Sequence, residues 1–191
     1  MLQKKLIEKR MKIIAGFIKS FDKVLDIGCA DCVLKNYIEN GEYVGVDLNP
    51  SNNNIFKVDV SNENLSFDNN FFDVVVMSEI LEHLLNPFFA VGEAFRVLKH
   101  GGLLVVTVPN VESVNNVLMG MTKNLGGRKI VKGGHVMSWD MDSGSNFFLN
   151  AGFEVIKLDK VVNSIKSWFL PEWWPFKGFA TYSLFVLRKP L

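Results

Sequence analysis

The stretch from Val24 to Cys32, with the sequence VLDIGCADC, constrains the fold more than any other part of this 191-residue chain. Mostly apolar residues lead into Gly28, and helix-compatible residues follow. A buried strand, a tight turn and a helix start place a ligand at the carboxyl end of a central parallel strand. Glycine suits the turn because a Cβ would hinder a close approach. The dinucleotide fingerprint needs glycine at positions 28, 30 and 33, where Ala30 and Val33 stand, so a nicotinamide cofactor is disfavoured.

Composition limits the class of protein. A chain of this length forms one domain, residues 1–191, with a sizeable core that needs no disulfide. Its 21 basic and 20 acidic residues leave a net charge of +1, which gives no basic surface for nucleic acid, so we expect no nucleic-acid partner. No stretch reaches the roughly 18 uncharged apolar residues of a membrane span, and charges near the start exclude a signal peptide. We therefore expect a cytoplasmic protein.

The two cysteines lie three residues apart in the glycine turn. Cys29 and Cys32 form a Cys-x-x-Cys pair, a spacing that also occurs in thioredoxin-like redox sites. No second group of Cys and His residues completes a zinc site. We expect reduced thiols, the usual state in the cytoplasm, with a redox pair as the alternative.

Strand and helix patterns alternate along the rest of the chain. An amphipathic helix is predicted within residues 1–20, because apolar residues recur there at helical spacing between lysines. Alternating strands and helices indicate a parallel sheet with right-handed crossovers. We predict a single-domain, Rossmann-like α/β fold with a seven-stranded, mostly parallel sheet, an antiparallel last strand and helices on both faces. The predicted strands are 24–27, 43–46, 55–58, 72–77, 103–108, 153–158 and 180–187, and the further helices are 33–39, 88–99 and 140–151.

Two segments do not fit this alternation. Residues 111–138 have no strong period and hold four glycines, which is typical of a lid or substrate loop. Residues 161–179, between the last two strands, hold three of the four tryptophans. Aromatic side chains with a polar end suit a membrane interface or an apolar substrate wall. A cover for the sheet edge or a homodimer surface formed by residues 164–179 is the alternative.

Acidic residues follow the next two predicted strands. Asp47 ends the second strand about twenty residues after the glycine turn, where Rossmann-like folds place the acceptor for the ribose hydroxyls. Asp59 follows the short third strand. Because the carboxyl ends of parallel strands meet at one edge of a sheet, both carboxylates are candidates to contact the same ligand.

These residues occur in an ordered set of motifs: LDIGC at 25–29, GVD at 45–47, FDVV at 72–75, SEILEHLLNP at 78–87 and FRVLKHGG at 95–102. The set resembles the class I S-adenosyl-L-methionine (SAM) methyltransferases, in the branch that includes ubiquinone-biosynthesis O-methyltransferases. The resemblance implies SAM as cofactor, with Asp59 beside the adenine. The implied cofactor-binding residues are Asp26, Gly28, Cys29, Ala30, Asp47, Leu48, Asp59, Val60 and Ser78.

Glu79, Glu82 and His83 are spaced i, i+3 and i+4, so on a helix or turn they share a face. The Glu-x-x-Glu-His pattern resembles the divalent-metal motif of ubiquinone-type and small-RNA 2′-O-methyltransferases, and His135, in GHVMSW, partly matches a distant histidine of the latter. One interpretation is that these four residues bind Mg²⁺ or a borderline metal. Another is that His83, with Glu79 and His135 nearby, acts directly in catalysis. A structural role for the motif is the third.

The resemblance implies methyl transfer to a small, glycan-linked or lipid-linked acceptor, at oxygen. RNA is disfavoured as the acceptor by the near-neutral charge. Two residues depart from the family's glycine-rich turn, since Ala30 and Cys32 stand where the family has glycine. A catalytically silent SAM-fold protein that serves in binding or assembly is therefore the alternative. A lipid-linked acceptor would associate the cytoplasmic protein with a membrane.

Overall fold

The computed structural model describes residues 2–110, 134–162 and 180–191. Seven strands in these ranges form one sheet in the order β3-β2-β1-β4-β5-β7-β6. Strands β1 to β5 pair in parallel, and β7 runs antiparallel to both of its neighbours. The predicted Rossmann-like sheet with an antiparallel last strand is confirmed. The strands are β1 (Lys23–Ile27), β2 (Glu42–Asp47), β3 (Phe56–Lys57), β4 (Phe72–Ser78), β5 (Leu98–Pro109), β6 (Glu154–Val162) and β7 (Ala180–Arg188).

Three α-helices and two short 3₁₀ helices accompany the sheet in the described residues: α1 (Leu2–Ala15), α2 (Pro87–Val97), α3 (Met141–Asn150), and the 3₁₀ helices Val33–Tyr37 and Leu81–His83. Side chains fix the starts of α2 and α3. The Asn86 side chain accepts from the Phe89 N–H, with Pro87 at the first helical position. Asp140 and Ser143 form a reciprocal capping box at the start of α3.

Buried residues lie on both faces of the sheet, as predicted. On one face Val75 and Met77 of β4 pack in a core with α2 and α3, which contributes Phe147. On the other face Val74 and Val76 pack in a core with α1 and the first 3₁₀ helix. Alternate residues of one strand thus enter opposite cores. Because both faces of the strand are buried, its sequence is a continuous apolar run.

Three element boundaries differ from the predictions. The helix predicted over 33–39 is a short 3₁₀ helix, preceded by Cys32 in the left-handed region with no side-chain cap. The helix predicted over 88–99 ends at Val97, because Leu98 already pairs with Phe72 of β4 and begins β5. Strand β6 runs on to Val162, paired with β7 over nearly its whole length.

Two sequence-based predictions lie wholly or mostly outside the described residues. They are the lid or substrate loop at 111–138, of which only 134–138 is described, and the aromatic excursion at 161–179, of which only 161–162 is described. Within the described ranges, no helix combines the length and the apolar character needed to cross a membrane.

Candidate functional site

The glycine turn is held tightly between β2 and the segment after β4. The N–H groups of Gly28 and Cys29 both donate to the Val46 carbonyl oxygen, at 2.8 and 3.2 Å. Gly28 has φ +74°, and a Cβ added there would collide with the Ile80 side chain. Only glycine fits this backbone conformation and this close approach without strain. The close contact with Ile80 therefore fixes the turn at the carboxyl end of β1.

A cavity of about 230 Å³ lies beside this turn, at the carboxyl ends of the first strands. We call it the strand-end cavity. Five residues that the sequence predicted to bind the cofactor line it together with His83, a predicted catalytic residue. The lining consists of Gly28, Asp47, Leu48, Val58, Asp59, Val60, Ser61, Asn62, Ile80, His83, Leu84 and Leu85.

Backbone groups orient the two carboxylates of the cavity. Asp47 accepts the Ala30 N–H on Oδ2 at 2.9 Å and the Asn49 N–H on Oδ1 at 2.8 Å. Asp59 accepts the Ser61 N–H at 3.0 Å and the Asn62 side-chain amide at 3.0 Å. Each carboxylate oxygen has two lone pairs, so both groups retain capacity to accept from hydroxyl or amine donors of a ligand. These are the acceptors that a ribose and an exocyclic amine require.

Four of the predicted cofactor residues are not among those that line the cavity, namely Asp26, Cys29, Ala30 and Ser78. Asp26 is buried in β1, where it accepts the Tyr43 hydroxyl at 2.7 Å. Burial raises the pKa of Asp26 to about 6, and Asp47 adds to the rise against the lowering effect of Tyr43. The Ser78 hydroxyl pairs with that of Thr107 at 3.0 Å. Asp26 thus supports the turn from within the sheet.

Glu82, His83 and His135 come together, although 52 positions separate the two histidines. The Val136 and Met137 N–H groups donate to the Glu82 carbonyl oxygen, at 2.8 and 3.3 Å, and carry His135 to the 3₁₀ helix. The imidazole centroids lie 4.8 Å apart, nearly perpendicular. One ligand atom from each of the three residues lies within 4.8 Å of the others. This set could hold a metal or act on one bound substrate.

Burial alters the proton affinity of this group. The Glu82 side chain is 2% exposed, and burial, reinforced by nearby Glu79, raises its pKa to about 7. Burial and the neighbouring His83 lower the pKa of His135, so its imidazole is neutral at pH 7. A neutral imidazole can accept a proton, which is the state that a general base needs.

Glu79 stands apart from the other predicted metal ligands. It has φ +56°, and its carboxylate lies 3.4 Å from the Arg10 guanidinium of α1. Burial raises the pKa of Glu79 despite the nearby Arg10. The Arg10 guanidinium also lies 5.8 Å from the centre of the Tyr182 ring. Tyr182 was missed from the sequence, where the only signal was a phenol in a strand otherwise suited to a buried core.

We define the polar cluster as Arg10, Glu79, Glu82, His83, His135 and Tyr182. Four of its members bury a polar atom that has no hydrogen-bond partner in the described structure. Buried polar groups are nearly always paired, so the cluster is suited to the polar groups of a ligand. The buried unpaired atoms of the described side chains are Arg10 Nε, Glu79 Oε1, Glu82 Oε2, Trp139 Nε1, Tyr182 Oη and Ser183 Oγ.

Comparisons with known proteins agree with this architecture. The chain is 29% identical to an uncharacterized methyltransferase of Schizosaccharomyces pombe over 110 residues, which cover 45% of this chain and 39% of that protein. The chain thus spans about two fifths of this curated relative.

Among solved structures, the [4+2]-cyclase SpnF superposes with a TM-score of 0.69 at 17% identity, over 96% of this chain and 81% of that one. A SAM-dependent methyltransferase of Thermotoga maritima superposes with a TM-score of 0.67 at 19% identity, over 96% of this chain and 89% of that one. At these identities the structures establish the fold. The sequence model of a family described as a methyltransferase domain matches residues 2–158. The chain therefore belongs to the methyltransferase-domain family and has the class I fold of SAM-dependent methyltransferases.

Proposed function

We propose that this protein transfers a methyl group from SAM to a hydroxyl of a small, glycan-linked or lipid-linked acceptor, as the ubiquinone-type O-methyltransferases do. One observation carries the proposal: His83 lines the same cavity as Asp47 and Asp59. A cofactor held by the two carboxylates would therefore have an imidazole within reach of its reactive end. The family match over residues 2–158 supports the reaction class.

The strand-end cavity fits SAM in the character of its donors and acceptors. Asp47 would accept from the two ribose hydroxyls, and Asp59 from the adenine amine. The turn from Gly28 to Ala30 would lie beside the methionine part, because Gly28 lines the cavity at the carboxyl end of β1. When bound, SAM supplies an electrophilic methyl group on a sulfonium. The carboxylates would fix its orientation, since alignment is the main requirement for an in-line displacement.

The polar cluster would receive the acceptor. His83 would take the proton of the acceptor hydroxyl as that oxygen forms its bond to carbon. His135, neutral at pH 7, packs edge-to-face against His83 and would fix the orientation of its ring. Arg10 and Glu79 would bind polar groups of the acceptor through their unpaired atoms, Nε and Oε1. Placing these groups in a water-poor site strengthens each contact.

A metal bound by Glu82, His83 and His135 is the second candidate role of the cluster, favoured by their ligand atoms lying within 4.8 Å of one another. Two imidazoles and one carboxylate suit a borderline ion such as Zn²⁺ better than Mg²⁺, which prefers oxygen ligands. Glu79 would not belong to this set, because it faces Arg10. Such an ion would polarise the acceptor hydroxyl.

The apolar part of a lipid-linked acceptor would meet the aromatic segment at 164–179, or that segment would form a homodimer surface. This proposal rests on composition alone, since the segment lies outside the described residues. A blue shift of tryptophan emission on adding liposomes would support the lipid interaction. Emission that is blue-shifted in buffer and unchanged by liposomes would support packing within the protein or in a dimer.

Incubation with methyl-labelled SAM and fractionated cell extract tests the proposal. We expect a labelled product that is base-stable, as a methyl ether is, and that disappears with His83→Ala. His100→Ala is the matched control, because His100 lies at the other end of β5, where its ring pairs with the Pro190 carbonyl. Loss of activity with a chelator, restored by a divalent ion, would favour the metal role. Normal SAM binding with no labelled product from any fraction would favour a silent binding protein.

A further inference from the structure

The two cysteine side chains face each other in the glycine turn. The Sγ atoms of Cys29 and Cys32 lie 3.2 Å apart, and both thiols are free. Cys29 is buried, with 8% of its surface exposed, whereas Cys32 is half-buried. One thiol is thus enclosed, and its partner can be reached from solvent.

Cys32 occupies a backbone conformation that disfavours it. Its φ is +53°, in the left-handed region where a Cβ is strained, and Ala30 nearby has φ +46°. The backbone here suits glycine, yet it carries a thiol that points at a second thiol. Such a residue persists only when the surrounding structure holds it in place.

Gly45 of β2 provides the space for both sulfur atoms. A Cβ added at Gly45 would stand 2.7 Å from Cys29 Sγ and 3.0 Å from Cys32 Sγ. Any side chain at this position would therefore push one thiol away from the other. Three positions of different character, 29, 32 and 45, together keep the two sulfurs adjacent.

We propose that Cys29 and Cys32 form a reversible disulfide that weakens SAM binding, which makes the glycine turn a site of redox modification. This inference rests on the proposed placement of SAM at the turn. The oxidant is a low-molecular-weight disulfide. The Cys32 thiolate attacks one of its sulfur atoms and releases one thiol, and the Cys29 sulfur, on losing its proton, attacks Cys32 and releases the second. Two protein thiols are oxidised, and one external disulfide is reduced to two thiols.

The buried environment assigns the order of attack. Burial raises the pKa of the Cys29 thiol well above its usual range, and the nearby carboxylates add to the rise. The thiolate is the attacking species in disulfide exchange, so the more accessible Cys32 reacts first. Cys29 then acts as the resolving thiol.

The disulfide would move the turn that orients Asp47, the residue whose carboxylate is proposed to bind the ribose of SAM. A sulfur–sulfur bond is about 2 Å long, so the two atoms must approach by about 1 Å. Cys29 is buried and its N–H is tied to Val46, so the movement falls on Cys32 and the preceding residues. Among these is Ala30, whose N–H holds Asp47 Oδ2 at 2.9 Å. Asp47 would lose its orientation, and SAM its ribose contact.

Parallel thiol counting and SAM calorimetry, on protein equilibrated with oxidised glutathione or with dithiothreitol, test the inference. We expect the oxidised wild type to lose two alkylatable thiols, to bind SAM severalfold more weakly, and to recover both after reduction. Cys32→Ser removes one thiol, so its SAM affinity should be the same under both conditions.

The failure of the redox inference can be distinguished from the failure of the proposed function. If the protein keeps both thiols after equilibration with oxidised glutathione, the redox inference alone is overturned. The same holds if the disulfide forms and the affinity for SAM is unchanged. A fully reduced protein that binds no SAM overturns the proposed function, and with it the effect assigned to the disulfide.

Discussion

The strand-end cavity and the polar cluster lie side by side at the carboxyl edge of the sheet and share His83, yet their polar atoms are arranged differently. In the cavity, Asp47 and Asp59 hold backbone N–H groups at 2.8 to 3.0 Å. In the cluster, Arg10, Glu79 and Tyr182 bury atoms without partners. The cavity is organised before any ligand arrives. The cluster carries an electrostatic cost that a bound acceptor would relieve.

The first prediction separates the two regions by their effect on turnover. His83→Ala should lower the turnover rate by roughly 10²–10⁴-fold, the usual contribution of a general base, because the acceptor proton loses its receiver. The SAM dissociation constant should change little, since Asp47 and Asp59, the carboxylates proposed to hold the cofactor, are intact. Turnover is measured under saturating SAM with the acceptor found in the extract.

His100→Ala, far from the cavity, controls for the loss of an imidazole as such. Full turnover by the His83 variant would remove that residue from catalysis, both as a base and as a ligand of a catalytic metal.

The second prediction uses the buried carboxyl groups of both regions. Asp26 has a pKa of about 6 and Glu82 of about 7, both above their ordinary values of 3.8 and 4.5. The folded state therefore binds these protons more tightly than the unfolded state. Each group stabilises the fold fully below its ordinary pKa, and the contribution is lost as pH rises through the folded pKa. Since one pKa unit corresponds to about 1.4 kcal/mol, each carboxyl group contributes on the order of 3 kcal/mol at most to the free energy of unfolding.

Chemical denaturation at pH 5 and pH 8 measures this dependence, and the free energy of unfolding should be lower at pH 8. The raised pKa of Glu79 acts in the same sense. The lowered pKa of His135 acts in the opposite sense below about pH 6.5, and the lowered pKa values of Asp73 and Glu93 do so only below about pH 4.5. Asp26→Asn should remove the part of the slope centred nearer pH 6, and Glu82→Gln the part nearer pH 7. A pH dependence between pH 5 and 8 that neither substitution changes would contradict the assigned burial of both carboxyls.

The third prediction concerns the turn that shapes the cavity. Gly28→Ala should destabilise the fold by about 1–3 kcal/mol, since alanine at φ +74° is strained and its Cβ meets Ile80. The substitution should also weaken the binding of SAM. Gly92→Ala is the matched control, because Gly92 lies in α2 with nothing within 4 Å of an added Cβ. That change should stabilise by about 0.5–1 kcal/mol.

Thermal and urea unfolding measure both glycine variants. Adding Ile80→Ala to Gly28→Ala should recover part of the loss, since it removes the collision with Ile80 Cδ1 and leaves the backbone strain and a tight 3.1 Å contact with the Cβ of residue 80. If Gly28→Ala were as harmless as Gly92→Ala, the turn would not have the tight geometry described above.

The same contrast explains what could be predicted from the sequence. The strand ends, Gly28, Asp47 and Asp59 were predicted because strand periodicity and turn residues are local signals. The pairing of Arg10 with Glu79 was not predicted, because the two residues lie 69 positions apart and meet only through the way that α1 crosses the sheet. Tyr182 reaches the cluster only through the antiparallel pairing of β7 with β5.

Local geometry also overrode a spacing argument. The i, i+3, i+4 pattern predicts that Glu79, Glu82 and His83 share a face. The 3₁₀ helix begins only at Leu81, and Glu79 has φ +56°, so its carboxylate turns toward Arg10. No helix period describes a residue in the left-handed region. His135 was grouped with His83 from the family motif, and the structure places the two imidazoles 4.8 Å apart, with backbone bonds from residues 136 and 137 to Glu82 holding His135 there.

The most direct measurement is calorimetric titration of SAM into the wild type, Asp47→Ala and the exposed control Asp142→Ala. The wild type and the control should bind SAM with the same affinity. Asp47→Ala should bind at least about tenfold more weakly, because hydrogen bonds to a charged group contribute about 1.5–3 kcal/mol and about 1.4 kcal/mol is a factor of ten. A wild type that binds no SAM, or an Asp47 variant with unchanged affinity, would contradict the assignment of the strand-end cavity as the cofactor site.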